Sequence, residues 1–243
     1  MKKNLVLCLC VTVALASSVH AIELKAPNVS AVKNVTSSVS NVTSAVSNVA
    51  SSLTPSSAKG SIATINSKLI AADATVQQSF NSLVAALSSK DEAAKYKAKL
   101  NAINSNKNLS TSEKSAKIAE VMTDYGTTLK ENQAALGEKI KSASEAKRTE
   151  ITNAVVALGA ASIQYLDIAN DCTKLAMTIS TNPTLAIPLA SELKDLKDTA
   201  IILKNNVKSL KNVTTQAVAV AKIGGLKINL PKPGASKAKK AKI

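Results

Sequence analysis

The sequence has no tryptophan, one phenylalanine, one histidine and only three cysteines. Three tyrosines complete the aromatic set, so a core built mainly from aromatic side chains is excluded. Abundant Ala, Ser and Lys with so few aromatics favour long helices over a globular α/β core. The length suits one domain of long helices or a small bundle.

The first 21 residues have the organisation of a secretory signal peptide. Two lysines precede an apolar run over residues 5–16, and Val19-His20-Ala21 fits a small-residue cleavage site. The apolar run is too short to span a bilayer as a stable helix, which disfavours the alternative of an uncleaved anchor. We expect cleavage after Ala21 and a secreted protein, periplasmic or extracellular, that begins at Ile22.

Cleavage would remove His20 and two of the three cysteines, leaving only Cys172. A single cysteine cannot form an internal disulfide, and its place on an apolar seam favours a buried small hydrophobe over an intermolecular bridge. Without a histidine and with a single cysteine, the cleaved chain lacks the usual zinc ligand sets and the Ser-His-Asp and Cys-His catalytic groups. The nearby carboxylates Asp195 and Asp198 lie among lysines, as on an ordinary charged helix face. We predict no enzymatic activity, no catalytic residue, no metal and no cofactor.

Positive charge dominates the sequence. Lys and Arg number 31 against 16 acidic residues, and subtracting two signal-peptide lysines from the net charge of +15 leaves +13. Arg148 is the only arginine. Lysine carries a compact, hydrated charge. It lacks the planar guanidinium group with which arginine makes two hydrogen bonds at once to phosphate or guanine. The chain is therefore suited to anionic surfaces in general rather than to one specific anion.

The most regular stretch covers residues 151–223. Apolar residues recur at spacings of three and four from Ile151 to Ile179, and again from Leu189 to Ala221. Pro183 separates the two runs because proline cannot continue a helix. Two helices with matching seams and a short connection should fold back as an antiparallel pair. We predict an all-α fold, an elongated bundle of long antiparallel, coiled-coil-like helices.

The rest of the predicted bundle lies within residues 61–225, with helices at about 61–88, 90–103, 111–180 and 188–223. Ser89 stands three residues before Glu92, and Ser110 three before Glu113, which is the capping-box spacing of a helix start. No proline interrupts residues 111–180, so we expect one continuous helix there. Its weakest points should be Gly126 and Gly137, where glycine lowers helix propensity.

Residues 22–60 have a different composition. A seven-residue repeat runs over residues 34–54, and its Val and Leu residues fall at spacings of three and four. This pattern predicts an amphipathic helix that is marginal alone and docks on the bundle or on another chain. The alternative is a flexible Ser/Thr-rich spacer. We take Pro55 as the end of this segment and Lys59-Gly60 as a loop.

Residues 226–243 form a basic tail with too few apolar residues to fold, and we expect it to be disordered. Its composition is similar to that of tails of nucleic-acid-compacting proteins, although a secreted protein rarely meets its own DNA. An anionic cell envelope, a membrane surface or an extracellular polyanion is the favoured target, through salt-sensitive attraction, and a solubilising tail without a partner is the alternative. The candidate polyanion contacts are Lys227, Lys232, Lys237, Lys239, Lys240 and Lys242.

The leading functional interpretation is a secreted, non-enzymatic interaction or structural protein. It would act through helix faces and the lysine tail on anionic surfaces or partner proteins, with self-association through the heptad seams. In outline the sequence also resembles secreted helical pore-forming toxins, because uncharged residues surround the hairpin turn around 151–191. This resemblance implies the alternative, a membrane-active protein whose hairpin enters lipid.

Overall fold

The computed structural model describes residues 53–232, and 86% of this range is helical with no strand. Seven helices pack against one another in this range. The predicted signal peptide, most of the heptad segment and the tail beyond residue 232 lie outside the described residues. The helices are α1 Pro55–Leu87, α2 Lys90–Ser105, α3 Thr111–Glu131, α4 Gln133–Lys141, α5 Glu145–Thr181, α6 Pro183–Ala186 and α7 Ala190–Ile223.

The first helix begins earlier than predicted. Pro55 opens α1 instead of closing the preceding segment, and Lys59 and Gly60 lie inside the helix. Proline is well tolerated at the first helical position, where its missing N–H would have no helical partner. Thr54 caps the helix by accepting a hydrogen bond from the Ser57 amide, and Ser57 bonds back to the Thr54 amide.

The predicted continuous helix over residues 111–180 is wrong. The structure divides it into α3, α4 and α5, with breaks at Asn132 and at residues 142–144. The Asn132 side chain donates to the Thr128 carbonyl at 2.9 Å, while Ser144 accepts from the Lys147 amide, so both side chains compete with helical backbone bonds. Gly126 and Gly137 lie within α3 and α4 and break neither helix.

Helices α5 and α7 form the hairpin around which the bundle is built. Asn182 ends α5, the single turn of α6 follows from Pro183, and α7 starts at Ala190. At the opposite end of the hairpin, Arg148 near the start of α5 donates to the carbonyl of Gly224 just after α7. The two helices therefore run in opposite directions.

The arrangement of the other helices differs from a purely antiparallel bundle. α1 packs on α5 and α3 packs on α7, and α1 and α3 also contact each other. Side-chain bonds join α3 and α4 to α7 in ascending order, from Thr123 with Ser209 to Gln133 with Gln216. α3 and α7 are therefore parallel neighbours, which the short α2 permits by returning the chain after α1.

The core is aliphatic with one aromatic cluster. Phe80 of α1, Tyr96 of α2 and Tyr125 of α3 meet edge to face, with ring centroids 5.0 to 5.9 Å apart. Cys172 is buried on the α5 seam. The cluster lies where α1, α2 and α3 meet, and a polar layer lies nearer the start of α1, at Asp73.

Candidate functional site

A buried polar layer crosses the bundle, and each of its four long helices contributes one residue. These residues are Asp73 of α1, Ser115 of α3, Tyr165 of α5 and Asn206 of α7, all buried. Ser115 donates to Asp73 Oδ1 at 3.0 Å and accepts a hydrogen bond from Asn206 at 2.8 Å. Tyr165 donates to the same carboxylate oxygen of Asp73. The layer satisfies polar groups that would otherwise be costly in the core.

Burial determines the protonation of this layer. It raises the pKa of Asp73 from 3.8 to about 6, against the opposing effect of the hydrogen bonds from Tyr165 and Ser115. Burial and the neighbouring Asp73 charge raise the pKa of Tyr165 well above its ordinary value. Both groups are largely shielded from solvent, since Tyr165 is 1% and Asp73 6% exposed.

A second buried polar contact joins α1 and α5. Lys68 Nζ lies 2.7 Å from Asp171 Oδ2, and both side chains are buried. The next residue along α5 is Cys172, whose pKa is raised to about 12, first by burial and then by the charge of Asp171. The thiol therefore remains protonated at neutral pH and is not a nucleophile.

A groove of about 370 Å³ lies between the parallel helices α3 and α7. Its walls carry Glu120 and Asp124 on α3 and Asn205 and Asn206 on α7. Asp124 already pairs with Lys99 of α2 at 3.0 Å. Within residues 53–232 no three His, Cys, Asp or Glu residues are grouped as a metal site would require.

The structure places only the first two of the six predicted polyanion contacts. Lys227 and Lys232 are exposed on the segment that follows α7, and Lys237, Lys239, Lys240 and Lys242 lie outside the described residues. This segment lies against α5, because a Cβ at Gly159 would stand 3.0 Å from Leu230 Cδ2. Leu226 and Ile228 also pack partly buried against the core. The sequence analysis missed this contact, although a glycine in the middle of a helix was the available signal.

One surface of the bundle carries no charge. Between residues 60 and 87 the only charged side chains of α1 are Lys68 and Asp73, and both are buried. By contrast, six lysines are exposed along α7. We name the outward surface of α1 over residues 60–87 the uncharged face. Its exposed residues are Gly60, Ala63, Asn66, Ser67, Ile70, Ala71, Ala74, Gln78 and Ala85.

The turn of the α5–α7 hairpin presents apolar side chains to solvent. Ile187 is 84% exposed and Met177 is 62% exposed, and no charged residue lies between Lys174 and Glu192. We name residues 177–189 the hairpin tip. An exposed apolar tip of this kind is a possible contact point for a membrane or a protein.

By length and composition, α5 is the one helix of the described range that could cross a membrane, yet 56% of its most apolar stretch is buried inside the bundle. Helices in the cores of soluble proteins have the same properties. Comparisons with protein-family models, with curated proteins and with solved structures found no match to this chain. Besides the groove, three surfaces of the described residues remain as candidate sites, which are the segment 226–232 that packs on α5, the uncharged face and the hairpin tip.

Proposed function

We propose that the chain is an exported, non-enzymatic helical protein that binds anionic surfaces through its lysine tail and partner proteins through its helix faces. The observation that supports this most directly is the packing of the first residues of the tail against α5. Leu230 packs at Gly159 on α5, and the exposed Lys227 and Lys232 lie on either side of it in the sequence. Lysines held at one place add their attractions to a charged surface, and salt screens that attraction.

Vesicle binding by the exported chain, residues 22–243, tests this proposal. We expect binding to vesicles of anionic lipid at low salt, weak binding to neutral vesicles, and loss of binding as salt is raised. Changing the six tail lysines to glutamine should lower the affinity at least about tenfold, since each lysine near an anionic surface contributes about 1 kcal/mol. The altered residues are Lys227, Lys232, Lys237, Lys239, Lys240 and Lys242.

A matched control separates the tail from net charge. Six exposed lysines of α7, changed to glutamine together, remove the same charge from a different surface. The control residues are Lys194, Lys197, Lys204, Lys208, Lys211 and Lys222. We expect the control to lose much less affinity than the tail variant. Equal losses would contradict a role of the tail as the contact.

The hairpin tip supports a second candidate function, a membrane-active protein that inserts the turn of the hairpin into lipid. The supporting observation is the exposure of Met177 and Ile187 in an uncharged stretch. For α5 to follow, the bundle would have to open, because its seam is buried. Release of a self-quenching dye from vesicles tests this candidate, and we expect binding without leakage.

If leakage does occur, variants at the tip identify its cause. Ile187→Asp places a charge at the exposed tip without disturbing the core and should abolish leakage. Ile201→Asp is the control, because Ile201 is also exposed, at 60%, but lies on α7 away from the turn. Leakage lost only with Ile187→Asp would favour the membrane-active function over the proposed one.

A further inference from the structure

The groove between α3 and α7 is acidic, although the chain as a whole is basic. Glu120 and Asp124, one helical turn apart on α3, both line it. The chain has 31 Lys and Arg residues against 16 acidic ones, and α7, which forms the second wall, exposes six lysines. Within the described residues 53–232, none of the side chains that line the groove is a lysine or an arginine. The groove therefore attracts cations, whereas the rest of α7 attracts anions.

Glu120 is the carboxylate of the groove that is available to a ligand. Asp124 pairs with Lys99 of α2, whose Nζ lies 3.0 Å from Asp124 Oδ2. Glu120 forms no ion pair in the part of the chain that the structure describes. The contact with Lys99 shows that this wall accepts a primary ammonium group. Glu120 offers the same chemistry one turn away on the same helix.

A buried amide at the base of the groove supplies a second, independent indication of a ligand. Asn206 lines the groove and is only 3% exposed. Its Nδ2 donates to Ser115 Oγ at 2.8 Å, and Ser115 must accept there because it donates its own proton to Asp73. No hydrogen bond among the described residues reaches Asn206 Oδ1. An amide oxygen without a donor is costly to bury, and an N–H of a ligand in the groove would satisfy it.

The polar layer beneath the groove adds a negative charge that has no cation. Asp73 accepts hydrogen bonds from the hydroxyls of Ser115 and Tyr165. It forms no ion pair within residues 53–232, since the nearby Lys68 pairs with Asp171 instead. A buried carboxylate without a cation is unfavourable. A cation at Asn206 would stand at the other end of a chain of two hydrogen bonds from this carboxylate.

The size and the apolar lining of the groove define the kind of cation. Its volume of about 370 Å³ lies within the range of small-molecule sites. Ala116 and Ala119 on one wall and Ile202 on the other provide apolar surface that a hydrated metal ion would not use. Residues 116–124 extend about 12 Å along α3, which suits a short linear chain. An alkyl chain with ammonium groups matches both the apolar and the acidic parts of the lining.

We propose that the groove between α3 and α7 binds a short aliphatic polyamine. One ammonium group lies at Glu120 and donates to Asn206 Oδ1, and the alkyl chain packs on Ala119 and Ile202. This site goes beyond the proposed function, because it involves none of the tail lysines and its ligand has the opposite charge to an anionic surface.

Titration calorimetry with spermidine, on the exported chain at neutral pH, tests the proposal. We expect saturable binding of one spermidine per chain. Glu120→Gln keeps the shape of the side chain and removes its charge, and it should weaken binding at least about tenfold, since a hydrogen bond between charged groups is lost. Glu131→Gln is the control, because Glu131 is an exposed carboxylate of the same helix that does not line the groove. Absence of binding, or equal losses in the two variants, would overturn the proposal.

A change of shape without a change of charge locates the bound amine. Ala116→Leu narrows the groove and should weaken spermidine binding severalfold, whereas Ala134→Leu, at an exposed alanine of α4, should leave it unchanged. Far-UV circular dichroism verifies that each variant has folded. If Ala116→Leu binds spermidine as tightly as the unchanged chain, the amine does not occupy the groove and the proposal is wrong.

Competition distinguishes an amine site from a general site for cations. Magnesium chloride at the concentration of the spermidine should displace little of it, because a hydrated ion gains nothing from the apolar walls. A diol with the same alkyl spacing as a diamine should not compete, since it lacks the charge that Glu120 binds. Effective displacement by either magnesium or the diol would overturn the assignment to a polyamine.

Discussion

The hydroxyl of Tyr165 donates a hydrogen bond to Asp73 Oδ1 inside the core, where α1 and α5 pack together. Ser115 donates to the same oxygen from α3. Two donors favour the ionised carboxylate, but the loss of water outweighs them, and the pKa of Asp73 rises to about 6. The folded protein therefore binds a proton at Asp73 more tightly than the unfolded chain does.

This binding makes stability depend on pH in a defined direction. Protonated Asp73 makes its full contribution to the free energy of unfolding below pH 4. This contribution, about 3 kcal/mol, is lost as the pH rises through about 6. Asp73→Asn keeps an acceptor for Tyr165 and cannot ionise, so its free energy of unfolding should lack this decrease. Urea unfolding of both proteins from pH 4 to 7 measures the difference. Parallel pH profiles would show that Asp73 does not titrate in this range.

The buried pair Lys68–Asp171 should behave differently when one or both partners are removed. Lys68→Met leaves the Asp171 carboxylate buried without its partner and should lower the free energy of unfolding by about 3–5 kcal/mol. Changing Asp171→Leu as well removes the orphaned charge and should restore most of that stability. The control is the exposed pair Lys194–Asp198, where Lys194→Met should leave the free energy of unfolding nearly unchanged because solvent screens the pair.

Alanine should have opposite effects on stability at two helical glycines. A Cβ at Gly137 would overlap Ile223 Cγ2, so Gly137→Ala should lower the free energy of unfolding by about 1–3 kcal/mol. Gly60 has open space around it, and Gly60→Ala should stabilise α1 by up to about 1 kcal/mol. Thermal unfolding monitored at 222 nm measures both. Ile223→Ala combined with Gly137→Ala should recover part of the loss, and no recovery would contradict the steric explanation.

The only arginine holds two helix ends together. Arg148 donates from one nitrogen to the carbonyls of Ile140 and Gly224, at 3.1 and 3.2 Å. Arg148→Met should cost about 2–3 kcal/mol, since bonds from a charged donor are lost at two carbonyls. Amide hydrogen exchange should quicken at Gly225 and Leu226, which follow α7. Lys141→Met, at an exposed lysine paired with Glu138, should change neither measurement.

Local signals predicted much of the helical pattern. The spacing of Ser110 and Glu113 predicted a helix start, and the structure has the reciprocal capping bonds. Pro183 marked the end of α5 because a proline ring blocks helix continuation. The breaks at Asn132 and Ser142 were missed, because Asn and Ser also occur inside helices and their effect depends on which backbone group they bond.

Long-range features were beyond local sequence signals. Gly137 was interpreted as a weak point of a helix, whereas the structure uses it for close approach to Ile223 on α7. The burial of Lys68 was not predicted, since nothing near it in the sequence identifies Asp171 as its partner. The polar layer was missed for the same reason, because Asp73 and Tyr165 lie 92 residues apart. Such contacts depend on which helices become neighbours.

The parallel packing of α3 and α7 has a consequence for the order of assembly. Thr123 and Ser209, which bond across this interface, are 86 residues apart, whereas α5 and α7 are joined by a single short turn. Contacts between distant residues require closure of a long loop and form late. A chain made from its N-terminus completes α3 well before α7 exists. The apolar side of α3 is therefore exposed until the last helix has formed. During this interval the chain is most prone to aggregation.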